Sequence, residues 1–83
     1  MKQLTVYSTP NCSHCEQAKE YLTDRAIPFI MVNLQEDTEA MNFVRSQGHR
    51  SVPQIYLEGQ QLVNGWPALR ELSTAQILEK ING

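Results

Sequence analysis

The chain has 83 residues and a mass of 9.5 kDa, enough for one domain, and its 41% hydrophobic and 19% charged residues exclude a disordered, collagen-like or coiled-coil chain. A net charge of −2 argues against nucleic-acid binding through bulk basic charge, and no apolar run approaches the roughly 20 residues of a membrane span. We therefore expect residues 1–83 to form a single globular domain that binds neither nucleic acid nor membrane.

The first half of the chain alternates between strand and helix patterns. Residues Lys2–Ser8 are rich in β-formers and place Leu4 and Val6 on one face. An apolar stripe at helical spacing predicts a helix over Ser13–Arg25. Phe29–Leu34 is apolar on both faces, which is typical of a strand that helices cover on both sides. These segments predict a β-α-β unit.

Caps, turns and breakers divide the second half into another helix, a hairpin and a C-terminal helical region. A capping side chain satisfies free N–H groups at a helix start, and glycine adopts the left-handed dihedral angles that end a helix. Asp37 or Thr38 begins the predicted second helix, and Gly48 ends it. Glu58-Gly59 forms the turn of a hairpin between the predicted strands Gln54–Leu57 and Gln60–Val63. Pro67 suits a helical first turn, and the capping box Ser73–Gln76 begins a helix that runs to Ile81.

The order β-α-β-α-β-β-α defines the fold class. Three strands joined through helices predict parallel pairing by right-handed crossovers, and the hairpin then adds an antiparallel strand. The sequence thus predicts an α/β protein in which a four-stranded mixed sheet is flanked by three or four helices, with helices on both faces.

The spacing of the two cysteines favours chemistry over structural stapling. A bond between Cys12 and Cys15 closes a four-residue loop, and such a short loop stabilises a fold by only about 2 kcal/mol. Met1–Thr5 shows no export signal, so we expect a cytoplasmic, reducing location, where structural disulfides are rare. We therefore predict that the pair is redox-active.

The segment Asn11–Cys15 lies where a strand ends, a short loop follows and a helix begins. Unpaired N–H groups and the positive end of the helix dipole favour an anion at this point, and thiolate is the nucleophilic form of cysteine. We assign Cys12, at the exposed tip, as the nucleophile that attacks a target disulfide. Cys15, almost one turn further on and on the buried stripe, is assigned as the cysteine that resolves the mixed disulfide.

Two other interpretations of the pair stay open. Cys-x-x-Cys is half of a zinc site that His14 and His49 would complete, although nothing in the sequence places them on one side of a metal. Cys15 also fits the core stripe as an inert buried cysteine. Because the strand–loop–helix setting favours redox chemistry, we expect no bound metal.

The sequence resembles the glutaredoxin family over essentially its whole length. The matching segments are Val6-Tyr7-Ser8, Cys12-Ser13-His14-Cys15, Ala18-Lys19-Glu20-Tyr21-Leu22, Gly48-His49-Arg50-Ser51-Val52-Pro53-Gln54-Ile55 and Asn64-Gly65. The resemblance implies one glutaredoxin-like domain with a thioredoxin-like fold that carries electrons by dithiol–disulfide exchange. It also implies glutathione as a co-substrate, with no cofactor bound in the chain.

The resemblance further implies a substrate site that faces the cysteines. It implies a cis peptide bond between Val52 and Pro53, which leaves the Val52 backbone free to pair with an extended substrate. The residues implied for binding substrate or glutathione are Arg50, Ser51, Val52, Pro53, Asn64, Gly65 and Trp66. Residue patterns alone give plainer alternatives: Pro53 as a strand-entry proline, Trp66 as a half-buried cover of the sheet edge, and Arg50 and Arg45 as solvated charges rather than carboxylate partners.

Three segments depart from the common glutaredoxin pattern. Thr9 stands where many members have lysine, Ser13-His14 where proline-tyrosine is common, and Asn64-Gly65-Trp66 where Gly-Gly and an acid are usual. The last segment resembles the redoxin subclass that receives electrons from thioredoxin reductase and donates them to ribonucleotide reductase, with Trp66 as a docking surface. We therefore expect a monomer that reduces protein disulfides or mixed glutathione disulfides, and that receives its electrons from either glutathione or thioredoxin reductase.

Two further hypotheses concern a role of His14 in setting the reduction potential and the binding of an iron–sulfur cluster. A protonated His14 beside Cys12 would favour the thiolate and make the protein more oxidising, so we expect His14 to modulate the reduction potential. Oxidases of oxidising compartments also use histidine there, but the bacterial ones have an export signal and an inserted helical domain. A module that shares an iron–sulfur cluster with glutathione between two subunits is an alternative of another class, against which the resolving Cys15 argues.

Overall fold

A computed structural model describes residues 2–83, which form a four-stranded mixed sheet with four helices, the predicted fold class. The strands lie in the order β2-β1-β3-β4. None of the helices within this range is long and apolar enough to cross a lipid bilayer. The elements are β1 (Leu4–Ser8), α1 (Ser13–Asp24), β2 (Phe29–Asn33), α2 (Thr38–Ser46), β3 (Gln54–Leu57), β4 (Gln60–Asn64), α3 (Trp66–Leu69) and α4 (Thr74–Asn82).

The predicted caps and turns set the boundaries of these elements. The Asp37 side chain caps α2 by accepting a hydrogen bond from a first-turn N–H at 3.0 Å. Gly48 follows the end of α2 with a φ of 82°, which favours glycine. Glu58 and Gly59 both have a positive φ, as a type I′ hairpin turn requires. Ser73 begins α4 with both hydrogen bonds of a capping box.

The predicted direction of the third strand is wrong. β1 and β2 are parallel as predicted, but β3 is antiparallel to β1, with Gln54 opposite Tyr7 and Leu57 opposite Leu4. Between β2 and β3, the chain passes through α2 and residues 47–53 and comes back to the end of the sheet where β2 finished, so β3 starts where β1 ends. The parallel rule applies to a crossover that returns to the starting end of the sheet, and this connection does not.

The expectation that helices cover β2 on both sides is also wrong, because β2 is an edge strand whose residues stay partly or fully exposed. Ile30 is 42% exposed, and no residue of β2 is fully buried. The chain places β3 on the other side of β1, which makes β1 and β3 the central strands and leaves β2 with one neighbour. An apolar run on both faces therefore does not mark a central strand here.

The two faces of the sheet carry different side chains. On the aliphatic face, α1, α3 and α4 cover β1 and β3; the buried residues there are Leu4, Val6, Ala18, Leu22, Ile27, Ile55, Leu69, Ile77 and Ile81, each at most 3% exposed. On the other face, which we call the aromatic face, Tyr7 and Tyr56 of the sheet contact Phe43 of α2 and His49 of the following loop. The centroid of the Phe43 ring lies 5.8 Å from that of Tyr7 and 5.3 Å from that of Tyr56. The alternation of side chains along β1 separates the two faces, as predicted.

Candidate active site

The cysteine motif lies at the end of the sheet where β1 stops. A short loop, with Asn11 at a φ of 59°, leads from β1 to the start of α1 at Ser13. Cys12 is the N-cap of α1: its backbone is extended, and its Sγ accepts a hydrogen bond from the Cys15 N–H at 3.1 Å. A sulfur in this position faces free N–H groups and the positive end of the helix dipole, both of which stabilise a thiolate.

Cys12 and Cys15 form a disulfide, and they differ in exposure. Their Cα atoms are 5.2 Å apart, within the usual range for a disulfide. Cys12 is partly exposed, whereas Cys15 is only 2% exposed and lies on the buried side of α1. An external sulfur can therefore reach Cys12 far more readily than Cys15.

The loop before β3 lies against the cysteine motif. The Val52 carbonyl oxygen is 3.9 Å from Cys12 Sγ, and the Val52-Pro53 peptide bond is cis, as the resemblance implied. Pro53 is buried, Val52 is half-buried and Ser51 is exposed. The structure thus brings the Ser51–Pro53 segment and the cysteine pair together, with a main-chain oxygen beside the more exposed sulfur.

The segment that follows β4 combines an exposed amide with an anchored aromatic ring. Asn64 is exposed and pairs with Gln54 at the same end of the sheet as the cysteine motif. Gly65 has a φ of 89°, a conformation that side chains disfavour. The half-buried Trp66 ring meets the Tyr21 ring of α1 edge-on, with centroids 5.4 Å apart. Trp66 therefore does cover part of the core, and the rest of its surface is open to solvent.

A buried glutamine that the sequence analysis did not assign to the site connects two of the predicted segments. Gln54 is 1% exposed, and its Nε2 donates to the Ser51 carbonyl oxygen at 2.9 Å and to Asn64 Oδ1 at 2.8 Å. Gln61 Nε2 donates in turn to Gln54 Oε1 at 2.9 Å. The signal that was available is a polar residue at the head of an otherwise apolar strand.

A groove on the α2 side of the Val52 loop carries the predicted arginine. Its volume is about 670 Å³, and Thr9, Arg45, His49, Arg50 and Ser51 supply its polar side chains. Arg45 and Arg50 are exposed, and neither is ion-paired within residues 2–83. The groove therefore offers two guanidinium groups and an imidazole, with no carboxylate on its lining.

His49 joins this groove to the aromatic face. Its Nε2 shares a hydrogen bond with the Tyr56 hydroxyl, and the two rings meet edge-on at 5.7 Å. Burial raises the pKa of Tyr56, and burial with smaller contributions from Tyr56 and Asp37 raises the pKa of Tyr7. Both shifts favour the neutral form of the two hydroxyl groups.

The structure also places the two histidines that the sequence analysis considered as metal ligands. His14 is exposed in the first turn of α1, two residues after Cys12. Across residues 2–83, no group of three or more His, Cys, Asp or Glu side chains is placed to hold a metal ion, so His14 and His49 do not complete a site with the cysteines.

An exchangeable disulfide at a helix N-terminus, faced by the Val52-Pro53 loop on a four-stranded mixed sheet, defines a thiol–disulfide oxidoreductase of the thioredoxin-like fold. The protein-family model described as Glutaredoxin matches residues 4–63, and the chain belongs to the glutaredoxin family. It is thus a glutaredoxin-type oxidoreductase that carries the cysteine pair Cys12 and Cys15.

Sequence relatives include glutaredoxin-like proteins of two kinds. The chain is 38% identical over 61 residues to the glutaredoxin-like 8.6 kDa protein in the rubredoxin operon of Clostridium pasteurianum, covering 72% of this chain and 81% of that one. It is 36% identical over 52 residues to the glutaredoxin-like protein NrdH of Lactococcus lactis, covering 63% of this chain and 72% of that one. The second relative fits the redoxin alternative.

Solved structures with the same fold include a redoxin and a glutaredoxin. The NrdH-redoxin of Escherichia coli, described as having a thioredoxin-like activity profile, superposes with a TM-score of 0.70 at 26% identity, over 77% of this chain and 83% of that one. A buckwheat glutaredoxin–glutathione complex superposes with a TM-score of 0.76 at 15% identity, over 98% of this chain and 77% of that one. The second likeness shows the fold alone.

Proposed function

We propose that the chain reduces protein disulfides, with Cys12 as the nucleophile and Cys15 as the resolving cysteine. We further propose that it does so in the cytoplasm, as a monomer made of one domain over residues 1–83. The observation that carries the proposal is the placement of Cys12 as the partly exposed N-cap of α1, with the buried Cys15 behind it. The main chain of Val52, beside Cys12 Sγ, pairs with the extended substrate.

The exchange takes two steps. The Cys12 thiolate attacks one sulfur of the substrate disulfide, and the other substrate sulfur leaves as a thiolate that takes up a proton. Cys15 then loses its proton and attacks Cys12 Sγ, which closes the Cys12–Cys15 disulfide and releases the second substrate thiol. Two electrons have passed to the substrate, and an external reductant returns two electrons to the cysteine pair, so that the chain acts as an electron carrier.

Thioredoxin reductase is the proposed reductant, with ribonucleotide reductase as the target that the redoxin resemblance suggests. Thr9, the segment Asn64-Gly65-Trp66 and the similarity to NrdH proteins support this choice. Glutathione is the second candidate, because Arg45 and Arg50 line the groove beside Val52 and a guanidinium group pairs well with a carboxylate. Ser51, Pro53 and Gly65 shape the substrate site in either case.

The test follows NADPH oxidation with a peptide disulfide as acceptor. One arm supplies thioredoxin reductase, and the other supplies glutathione with glutathione reductase. We expect turnover in the first arm, its loss in Cys12→Ser, and a trapped mixed disulfide in the mass spectrum of Cys15→Ser. Ser13→Ala, an exposed neighbour, serves as the control. Full turnover by Cys12→Ser would reject the function, whereas turnover only in the second arm, lowered by Arg45→Gln or Arg50→Gln, would assign glutathione.

A further inference from the structure

Three side-chain amides form a chain at the substrate end of the sheet. Gln54 Nε2 donates both to the Ser51 carbonyl oxygen and to Asn64 Oδ1, and Gln54 Oε1 accepts from Gln61 Nε2. Gln54 is 1% exposed, so water cannot reach its amide, and breaking one of these hydrogen bonds would leave a buried polar group without a partner. The amide of Gln54 therefore uses both of its N–H groups and its oxygen.

The chemistry of the partners fixes the orientation of each amide. A main-chain carbonyl oxygen can only accept, so the group of Gln54 that faces Ser51 has to be the NH2 group. The second hydrogen of that same nitrogen points to Asn64 at 2.8 Å, and the Asn64 atom that receives it has to be oxygen. The Asn64 amide is consequently held with its oxygen toward the protein.

The NH2 group of Asn64 is the part left over. Asn64 is exposed, and the side-chain hydrogen bonds within residues 2–83 engage its Oδ1 but not its Nδ2. The residue ends β4 opposite Gln54, which directly follows Pro53 and the Val52 carbonyl beside Cys12 Sγ. An oriented donor with a free N–H pair thus stands at the end of the sheet where a disulfide substrate binds.

We propose that Asn64 donates a hydrogen bond to an oxygen acceptor of the substrate, and that Gln54 is a positioning residue that holds Asn64 in the donating orientation. The acceptor is a peptide carbonyl or a carboxylate that flanks the substrate disulfide, because both offer oxygen lone pairs to an amide N–H. The inference rests on the proposed reduction of disulfides and adds a specificity element to it. It predicts a preference for peptide disulfides over oxygen-free ones.

Asn64→Asp separates the donor from the structural link. The aspartate keeps an oxygen for Gln54 Nε2, replaces the outward NH2 donor with a second oxygen and adds one negative charge. We expect KM for a peptide disulfide to rise by roughly five-fold, the loss of about one hydrogen bond, with kcat and the melting temperature unchanged. KM for diethyl disulfide, which has no oxygen, should not change. Gln60→Glu adds the same charge at the far, exposed end of β4 and should leave KM and kcat at the wild-type values.

Gln54→Met tests the positioning role in a double-mutant cycle. If Gln54 acts through Asn64, its replacement raises the peptide KM in the wild-type background and raises it less in the Asn64→Asp background. Equal rises in both backgrounds would mean a merely structural role and would overturn the positioning claim. An unchanged peptide KM in Asn64→Asp, in a protein that reduces disulfides normally, would overturn the donor role and leave the proposed function intact. If the unmodified chain reduced neither disulfide, that result would instead reject the proposed function.

Discussion

The aliphatic and aromatic faces of the sheet are closed in different ways. Three helices cover the aliphatic face, and its buried residues are at most 3% exposed and carry no titratable group. α2 alone covers the aromatic face, which leaves Tyr7 and Phe43 partly exposed and contains two tyrosine hydroxyls and the His49 imidazole. We infer that the first face supplies most of the stability, whereas the second couples the fold to pH and to the groove beside the cysteines.

Truncation in the aliphatic face should have the largest effect on stability. Ile77 of α4 is fully buried, so Ile77→Ala should lower the free energy of unfolding by about 3 kcal/mol through lost burial and the cavity it leaves. Phe43→Leu, on the partly exposed aromatic face, should cost only about 1 kcal/mol. Urea unfolding curves of the oxidised proteins measure both values. Equal losses would contradict the difference between the faces.

Alkaline pH should act through the aromatic face. Burial raises the pKa of Tyr56 and Tyr7 in the folded chain, while the unfolded chain ionises near the usual tyrosine pKa of about 10. The neutral hydroxyls therefore contribute stability that is fully present below the pKa of the unfolded chain. This contribution is lost as the pH rises from that pKa towards the raised pKa values of the folded chain.

The measurement is the urea midpoint of the oxidised protein between about pH 9 and about pH 11, the range around the usual tyrosine pKa. We expect the midpoint to fall across this range in the wild type and to fall less in Tyr56→Phe. Comparing slopes rather than single values removes the constant cost of losing the hydrogen bond between Tyr56 and His49. Identical slopes in the two proteins would show that the aromatic face does not sense pH.

Features that depend on neighbouring residues could be predicted from the sequence. The cap at Asp37, the turn at Glu58-Gly59 and the capping box at Ser73 are local, because each needs only a few residues and their dihedral angles. The placement of Cys12 at the start of α1 is local for the same reason. The helix boundaries and the position of the cysteine motif therefore followed from pattern alone.

Features that depend on distant pairing could not be predicted in this way. The direction of β3 is set by the path that the chain takes through α2 and residues 47–53, and periodicity within Gln54–Leu57 carries no information about it. The role of Gln54 needs Ser51 and Asn64 on either side of its amide, a meeting that exists only in the folded sheet. The edge position of β2 likewise follows from the other strands.

The smallest expected effect belongs to His14, an exposed imidazole on neither face of the sheet. If its cation favours the Cys12 thiolate, His14→Tyr should lower the reduction potential, but solvent screening should keep the shift within about 20 mV. Glu16→Gln, in the same first turn, removes a charge of opposite sign and should raise the potential. Redox titration against dithiothreitol at low and high salt measures both, and salt should shrink both shifts. An unchanged midpoint in His14→Tyr would mean that the N-cap geometry of Cys12, rather than surface charge, sets the potential.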